Sequence, residues 1–192
     1  MKPRSPVTSR GFTVAEMAIA VVVLTILALV AVPAFIKYQR KAKLSEALDM
    51  LDKIYKGAAD YYTTPRFERH TASKLDCQFP DAQAQTPVEG SCCTGQDTDN
   101  DDRCDANPAN WNSNTWSSLK FQISEAHYFV YSFTSNGLAD TEAQFTAMAN
   151  GDLDCDGVYS TFQRYGQGDP EAQDNECAIR GGAAVYTEQE TE

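Results

Sequence analysis

The feature that most constrains this chain is an apolar run of sixteen residues, Met17 to Val32, which has no charged side chain and is interrupted only by Thr25. A helix rises about 1.5 Å per residue, so a helix from Met17 to Ile36 would span about 30 Å, the thickness of a bilayer core. The carboxylate of Glu16 lies directly before the run. Because a charge in hydrocarbon is costly, Glu16 is expected either to have a purpose in the apolar environment or to lie at its interface.

A short basic segment precedes the helix. Met1 to Arg10 contains Lys2, Arg4, Arg10, two prolines and no acid, which is typical of a flank retained in the cytoplasm. In an ordinary secretory signal the small residue of the cut site follows the apolar core, but here Gly11 comes before it. A cut after Gly11 would therefore remove only the polar leader and leave the apolar helix as the new N-terminus.

This arrangement resembles the class III signal of type IV prepilins and their relatives. The matching residues are Gly11, Phe12, Glu16 and the later Pro33. The resemblance implies cleavage between Gly11 and Phe12, methylation of the new Phe12 amine, and pairing of that amine with Glu16 of a neighbouring copy. A carboxylate and an ammonium attract strongly at low dielectric, whereas either alone is costly there. The plainer interpretation of Glu16 is an interfacial glutamate at a membrane helix end.

The remaining sequence predicts one soluble domain of the α+β class. Beyond Pro33, which is expected to kink or locally unwind the helix, apolar residues recur at helical spacing from Leu44 through Leu48 and Leu51 to Tyr62. Strand-like segments follow at 126–135, 143–149 and 158–165, so we expect three or four antiparallel strands packed on the helix, as in pilins. The predicted segments are the leader (1–11), the membrane and assembly helix (12–36), the amphipathic helix half (37–64), an irregular disulfide-rich loop (65–120), and the sheet with its C-terminal tail (121–192).

The cysteines indicate disulfides. All six lie in the part expected to be exported, which favours disulfides over a metal cluster, and there is no Cys-x-x-Cys pair. Fifteen pairings are possible, and the sequence alone does not choose among them. The candidates are Cys77, Cys92, Cys93, Cys104, Cys155 and Cys177.

Charge limits the partners of the domain. The chain has 16 cations and 27 acids, a net charge of −11, and loss of the three leader cations leaves 13 against 27, or −14. Such an acidic surface argues against nucleic acid or anionic lipid as a partner of the globular part. A basic cluster just past the apolar run, which would ordinarily mark a cytoplasmic flank, competes with the basic leader for orientation. The resemblance places the leader inside and the domain outside; the cluster comprises Lys37, Arg40, Lys41 and Lys43.

Two acidic segments are candidate calcium sites. Asp152, Asp154 and Asp156 alternate before Gly157, and alternate carboxylates in a tight turn supply the oxygen ligands that calcium prefers. An EF-hand would need a glutamate at position 162, where Phe162 stands, so the match is partial. The other candidate has the same spacing without the glycine and comprises Asp97, Asp99 and Asp101. For both, the plainer interpretation is a solvated acidic turn.

These features favour a structural role rather than an enzymatic one. Neither a catalytic constellation nor a glycine-rich phosphate loop is recognisable in the sequence. The resemblance implies a subunit of a type IV pilus, and the long cysteine-rich insertion favours a minor one. Its expected partners are other pilins, a prepilin peptidase and the pilus assembly machinery, and its expected location is the inner membrane and then an extracellular pilus or periplasmic pseudopilus. The alternatives are a type II secretion pseudopilin and, from another class, a signal-anchored, calcium-loaded surface binding protein.

Overall fold

The computed structural model describes residues 11–88, 92–93, 97–173, 176–182 and 184–188. The predicted leader therefore lies outside the described residues except for Gly11. The chain divides into two compact units, Met1–Gln39 and Arg40–Glu192. Helix α1, Val14–Thr63, contributes its first part to one unit and its second part to the other.

Short elements and a sheet follow α1. They are β1 (Gln83–Thr86), a 3-10 turn (Pro108–Trp111), α2 (Asn114–Ser118), β2 (Val130–Ser135), a second 3-10 turn (Asp140–Glu142), β3 (Gln144–Gly151), β4 (Ser160–Gly168), β5 (Ile179–Gly181) and β6 (Tyr186–Glu188). Together with α1 they confirm the predicted α+β fold, a long N-terminal helix with a small antiparallel sheet.

The described part of the first unit, residues 11–39, has no buried residue. Every described residue from Gly11 to Gln39 is exposed, including large aliphatic side chains such as Leu29 and Val30, which are 72% and 74% exposed. Full exposure of such side chains to water forgoes about 1.5–3 kcal/mol each. This part of α1 therefore needs an apolar environment that the single chain does not supply.

In the second unit, α1 buries one stripe of side chains. Leu51 and Ile54 are at its centre, and the helix ends at Thr63, just before Thr64 and Pro65. The prediction that Leu48 belongs to this stripe is wrong, because Leu48 is 41% exposed and Ala47 takes the buried position. The small side chain of Ala47 suits a close approach between helix and sheet. The buried stripe is Leu44, Ala47, Leu51, Ile54, Ala58 and Tyr62.

Within the described residues the sheet has six antiparallel strands, in the order β1-β2-β3-β4-β5, and β6 also pairs with β4. Strands β2, β3 and β4 correspond to the three predicted segments. With the three shorter strands, β1, β5 and β6, the sheet has more than the three or four strands expected. Inward-facing aromatic side chains of the central strands form the core with α1; Phe133 and Phe145 stack with ring centroids 5.2 Å apart.

The segment between α1 and β2 is less irregular than expected. It contains β1, a 3-10 turn and α2, and it contributes Trp111, Trp116 and Phe121 to the main core. Trp116 is fully buried, and its indole N–H donates to the Thr86 hydroxyl at 2.9 Å. This segment therefore belongs to the core of the domain.

The prediction of disulfides is confirmed, since all six cysteines are paired. Cys77–Cys177 joins the segment after α1 to the chain before β5, while Cys92–Cys104 and Cys93–Cys155 hold the long connection. Because Cys92 and Cys93 are adjacent, one point of the connection is tied in two directions, which restricts the unfolded chain far more than either bond alone.

Candidate functional site

The N-terminus of α1 is capped by Glu16. Its Oε2 accepts hydrogen bonds from the backbone N–H of Thr13 and from the Thr13 hydroxyl, both at 2.8 Å. In return, the Glu16 N–H donates to Thr13 Oγ1 at 3.2 Å. This is a capping box, in which Thr13 and Glu16 each satisfy a backbone donor that the start of a helix leaves unpaired. The Thr-x-x-Glu spacing is the signature of this box, although the helix-capping role of Glu16 was not predicted from the sequence.

The cap leaves part of the Glu16 carboxylate available. Among the described residues, no hydrogen bond reaches Oε1. One carboxylate can therefore cap its own helix through Oε2 and still present Oε1, with the negative charge, to a donor from elsewhere. Within the part of the chain that the structure describes, no further donor reaches the Glu16 carboxylate.

The Gly11–Phe12 bond precedes the helix. Both residues have irregular backbone, Phe12 is 82% exposed, and a Cβ added at Gly11 would meet nothing within 4 Å. Helical backbone has to unfold before a peptidase can cleave it, whereas this bond lies outside the helix and is accessible. The cleavage site and the methylation of Phe12 remain predictions.

The apolar segment of α1 is long and apolar enough to cross a membrane, and within the described chain it is the one helix that meets this criterion. The helix continues through Pro33, so the local unwinding considered above is absent from the described chain. The kink at Pro33 stays a prediction.

The turn between β3 and β4 is closed by the carboxylate of Asp152, which accepts two backbone N–H groups. One oxygen of the Asp152 carboxylate accepts the N–H of Asp156 at 3.1 Å, and the other accepts the N–H of Gly157 at 3.0 Å. Gly157 has a φ of +91°, which glycine adopts without strain. Carboxylate oxygens of Asp152, Asp154 and Asp156 lie within 4.8 Å of one another.

The loop at 97–102 repeats this geometry. The Asp97 carboxylate accepts the N–H of Asp101 at 3.2 Å and that of Asp102 at 3.0 Å, four and five residues ahead, as Asp152 does. Asp102 occupies the position of Gly157 and has a φ of +59°. Aspartate tolerates this left-handed conformation better than most residues, so the missing glycine does not prevent the same turn. Carboxylate oxygens of Asp97, Asp99 and Asp101 also lie within 4.8 Å of one another.

The two loops differ in how their charge is balanced. In the loop at 152–157, the second loop in chain order, Asp154 forms an ion pair with Arg40 of α1. In the loop at 97–102, the first loop in chain order, the Asp101 carboxylate, with desolvation and the nearby Asp105 and Asp97, raises the pKa of Asp99. The nearest cation contact is loose, with Arg103 Nε 3.9 Å from Asp101. Like charges therefore accumulate around Asp99, which a bound divalent cation would relieve.

Disulfide Cys93–Cys155 brings the two loops together. Cys155 lies within the second loop, and its Sγ is 3.6 Å from Oδ1 of Asp102 in the first loop. Cys104, just past the first loop, exchanges two backbone hydrogen bonds with His127, at 2.8 and 3.1 Å. Both loops are thus held near the chain that leads into β2, where the sequence alone could not place them.

Two residues position the loops and the helix in ways that the sequence did not predict. Arg40 had been assigned only to a basic cluster, and its partner Asp154 lies 114 residues away in the sequence. Glu46 had no role assigned from the sequence, and it is half-buried against Tyr128. No local pattern in the sequence marks it as buried.

Comparison with known proteins gives one partial match. The chain is 40% identical over 55 residues to the type IV major pilin protein PilA of Myxococcus xanthus (strain DK1622), which is 29% of this chain and 25% of that protein. The chain therefore spans about a quarter of the length of the curated relative that it matches. No protein-family model matches the chain, and no solved structure matches it significantly. With its apolar N-terminal helix and helix-on-sheet domain, the chain is pilin-like.

Proposed function

We propose that this chain is a structural subunit of a type IV pilus, made as a membrane-anchored precursor and assembled through its N-terminal helix. The observation that carries the proposal is the exposed apolar segment of α1, a helix that begins at Val14, shortly after an accessible Gly11–Phe12 bond. The partial identity to a major pilin supports it. No catalytic role is part of the proposal.

The physics of assembly follows from that segment. In the bilayer its side chains are already in an apolar medium, so moving them among other helices brings little hydrophobic gain. Close packing and interhelical polar contacts must then supply the specificity. Glu16 meets this need, because its Oε1 can accept from the Phe12 amine of a neighbouring copy, and such a pair would fix the register of one helix against the next.

The sequence of events starts at the inner membrane. A prepilin peptidase cleaves after Gly11, the new Phe12 amine is methylated, and the assembly machinery transfers the helix from the bilayer into the growing filament. The domain forms the outer face of the filament. Within this scheme a pilus subunit, minor or major, is preferred to a type II secretion pseudopilin because the partial relative is a pilin.

Calcium bound in one or both acidic loops is part of the proposal. The oxygen donors at alternate positions and the left-handed residue after them suit the cation in both loops. The first loop is preferred, because Asp99 lacks the ion pair that Asp154 makes with Arg40. The ion would neutralise the loop and stabilise the connection between the disulfides.

The decisive measurement is mass spectrometry of the protein from its own cells, together with its presence in the filament fraction sheared from the surface. A chain that begins at N-methylated Phe12 and appears among the sheared filaments supports the proposal. A chain that retains Met1 and stays monomeric in the membrane contradicts it and favours the signal-anchored binding protein. A correctly processed chain that is absent from surface filaments favours the pseudopilin.

A further inference from the structure

The sheet has one face that α1 does not cover. Side chains alternate along β2, β3 and β4, and the outward-facing residues form rows across the three strands. Thr134 pairs with Thr146, and Thr146 pairs with Tyr165, so these three side chains form one outer row. At the other end of the same face, Val130 packs with Cys92 and Cys104 and is buried. The disulfide-bonded loop thus covers one end of the face and leaves the end around Tyr165 open.

Two hollows meet at Tyr165. The first, of about 270 Å³, lies over the outer row and is bordered by the turn after β2. The second, of about 320 Å³, lies between Tyr165 and β5, where Gly181 and Gly182 provide a floor without side chains. Tyr165 is 42% exposed, and its hydroxyl donates to Gln167 Oε1 at 2.6 Å, which holds the ring between the hollows.

The side chains that line the hollows are nearly uncharged, and the surface of both hollows combines polar and apolar groups. Among the described residues, those around the first hollow carry hydroxyl, amide or aromatic groups and no charge: Thr134, Ser135, Asn136, Gln144, Phe145, Thr146 and Tyr165. The second hollow has a single cation, Arg180, which faces Glu171 at 3.7 Å. In a chain with 27 acidic residues, a patch free of acids and nearly free of charge differs from its surroundings.

We propose that this patch binds a neutral oligosaccharide of at least two sugar rings. A tyrosine ring is a rigid amphipathic platform on which the C–H face of a sugar can stack, and the flanking hydroxyl and amide groups can exchange hydrogen bonds with sugar hydroxyls. The two hollows on either side of Tyr165 suit consecutive sugar units.

Other ligand classes fit the patch less well. An anionic polymer would be repelled by the acidic domain and would find only Arg180, whose charge Glu171 already offsets. A hydrophobic ligand needs a more enclosed pocket, whereas both hollows are open to solvent. A second copy of the chain is the competing occupant, and analytical ultracentrifugation distinguishes it from a sugar ligand.

The test uses the full-length chain in a polyoxyethylene detergent, because detergents with sugar headgroups would compete. Electrophoretic retardation is measured in native gels that contain dextran, laminarin or galactomannan as neutral polysaccharides, or alginate as an anionic one. We expect at least one neutral polysaccharide to retard the chain, and alginate not to. Tyr165→Ala should weaken that binding by about tenfold, and Tyr165→Phe, which keeps the ring, by about twofold or less.

The matched control is Tyr159→Ala, since Tyr159 is 37% exposed and does not line either hollow. The inference is overturned if none of the three neutral polysaccharides retards the wild-type chain, or if Tyr165→Ala and Tyr159→Ala have equal effects. It is also overturned if Tyr165→Ala instead converts a dimer to a monomer in analytical ultracentrifugation, since a second copy then occupies the patch. The unassembled chain is measured, so the result is independent of filament formation.

Discussion

The Glu46 carboxylate of α1 accepts a hydrogen bond from the backbone N–H of Tyr128, whose nitrogen lies 3.0 Å from Oε1. The N–H of Phe129, at 3.4 Å, and the hydroxyl of Tyr131, at 3.3 Å, point to the same oxygen. Burial raises the pKa of Glu46, and these three donors partly oppose the rise. Because β2 begins at Val130, one side chain of the helix fixes the entry of a central strand.

Replacing Glu46 by alanine should destabilise the domain by about 2–4 kcal/mol, because the donors from Tyr128, Phe129 and Tyr131 lose their shared acceptor. Glu46→Gln, whose amide oxygen can still accept, should cost about half as much. Chemical unfolding of the full-length chain in detergent, followed by the fluorescence of the buried Trp111 and Trp116, measures both. Glu125→Gln, at an exposed glutamate, is the control. Equal stability of Glu46→Ala and wild type would show that the carboxylate does not join helix and strand.

Three variants separate the two roles of Glu16. Thr13→Ala removes the hydroxyl of the capping box and keeps the charge, so it should loosen the first turn by about 1 kcal/mol and leave assembly nearly intact. Glu16→Gln keeps an acceptor for the Thr13 N–H but loses the charge, and should largely abolish filaments. Glu16→Ala loses both.

The readout is the amount of each variant in the membrane and in the sheared filament fraction. All three variants should remain in the membrane, because the apolar segment is unchanged. If Glu16→Gln assembles normally while Thr13→Ala does not, the carboxylate acts only as a helix cap, and its pairing with a neighbouring Phe12 amine is excluded.

The sequence predicted the parts of the fold that have strong periodicity. The apolar run defined the first part of α1, and the aromatic and β-branched stretch before Ser135 defined β2. Strand β1, Gln-Ala-Gln-Thr, has no such pattern, and its conformation comes from pairing with β2 through long-range contacts. The burial of Ala47 in place of the predicted Leu48 has a similar cause, because shape at the helix–sheet contact decides which of two adjacent apolar residues is buried.

For the candidate sites, the sequence supplied the residues but not their relations. The spacing of aspartates predicted both acidic loops. The equivalence of Asp102 and Gly157, however, depends on their left-handed backbone, which a glycine indicates in a sequence and an aspartate does not. The ion pair of Arg40 with Asp154 and the bond of Cys93 with Cys155 both join distant parts of the chain. No local pattern encodes either one.

Asp99→Asn distinguishes a calcium loop from a solvated turn. Without calcium the variant should be slightly more stable than wild type, because a like charge near Asp101 is removed. With calcium at about ten times its dissociation constant, wild type should gain about 1.4 kcal/mol by mass action, and the variant should gain less. The order of stability is thus expected to reverse on addition of calcium.

The measurement is thermal unfolding with chelator and with calcium, with Asp76→Asn as the control at an exposed aspartate outside both loops. Magnesium at the same concentration tests ion selectivity. Identical melting curves of the wild-type chain in chelator and in calcium would remove calcium from both loops. A calcium effect that Asp99→Asn leaves unchanged would move the site to the second loop.

Burial of His127 makes the domain sensitive to acid. Burial lowers the pKa of His127, and the Glu125 carbonyl, which lies 3.1 Å from Nδ1, partly opposes this shift. The unfolded chain therefore takes up the imidazole proton at a higher pH than the folded one. The contribution of neutral His127 to the free energy of unfolding is complete above a pH of about 6.5, the ordinary histidine pKa. It is lost as the pH falls below that value, at up to about 1.4 kcal/mol per pH unit.

The raised pKa of Glu46 has the opposite effect on stability, since protonation of that carboxyl in the folded state adds stability as the pH falls. The two effects overlap, so the contribution of His127 is obtained as a difference between variants. His127→Asn keeps a side-chain N–H for the Glu125 carbonyl but does not titrate. Its unfolding free energy is expected to be lower than that of wild type at pH 7.5, and the gap should narrow steadily toward pH 5. A gap that is constant across this range would show that His127 titrates alike in the folded and unfolded chains, which its burial against Trp111 argues against.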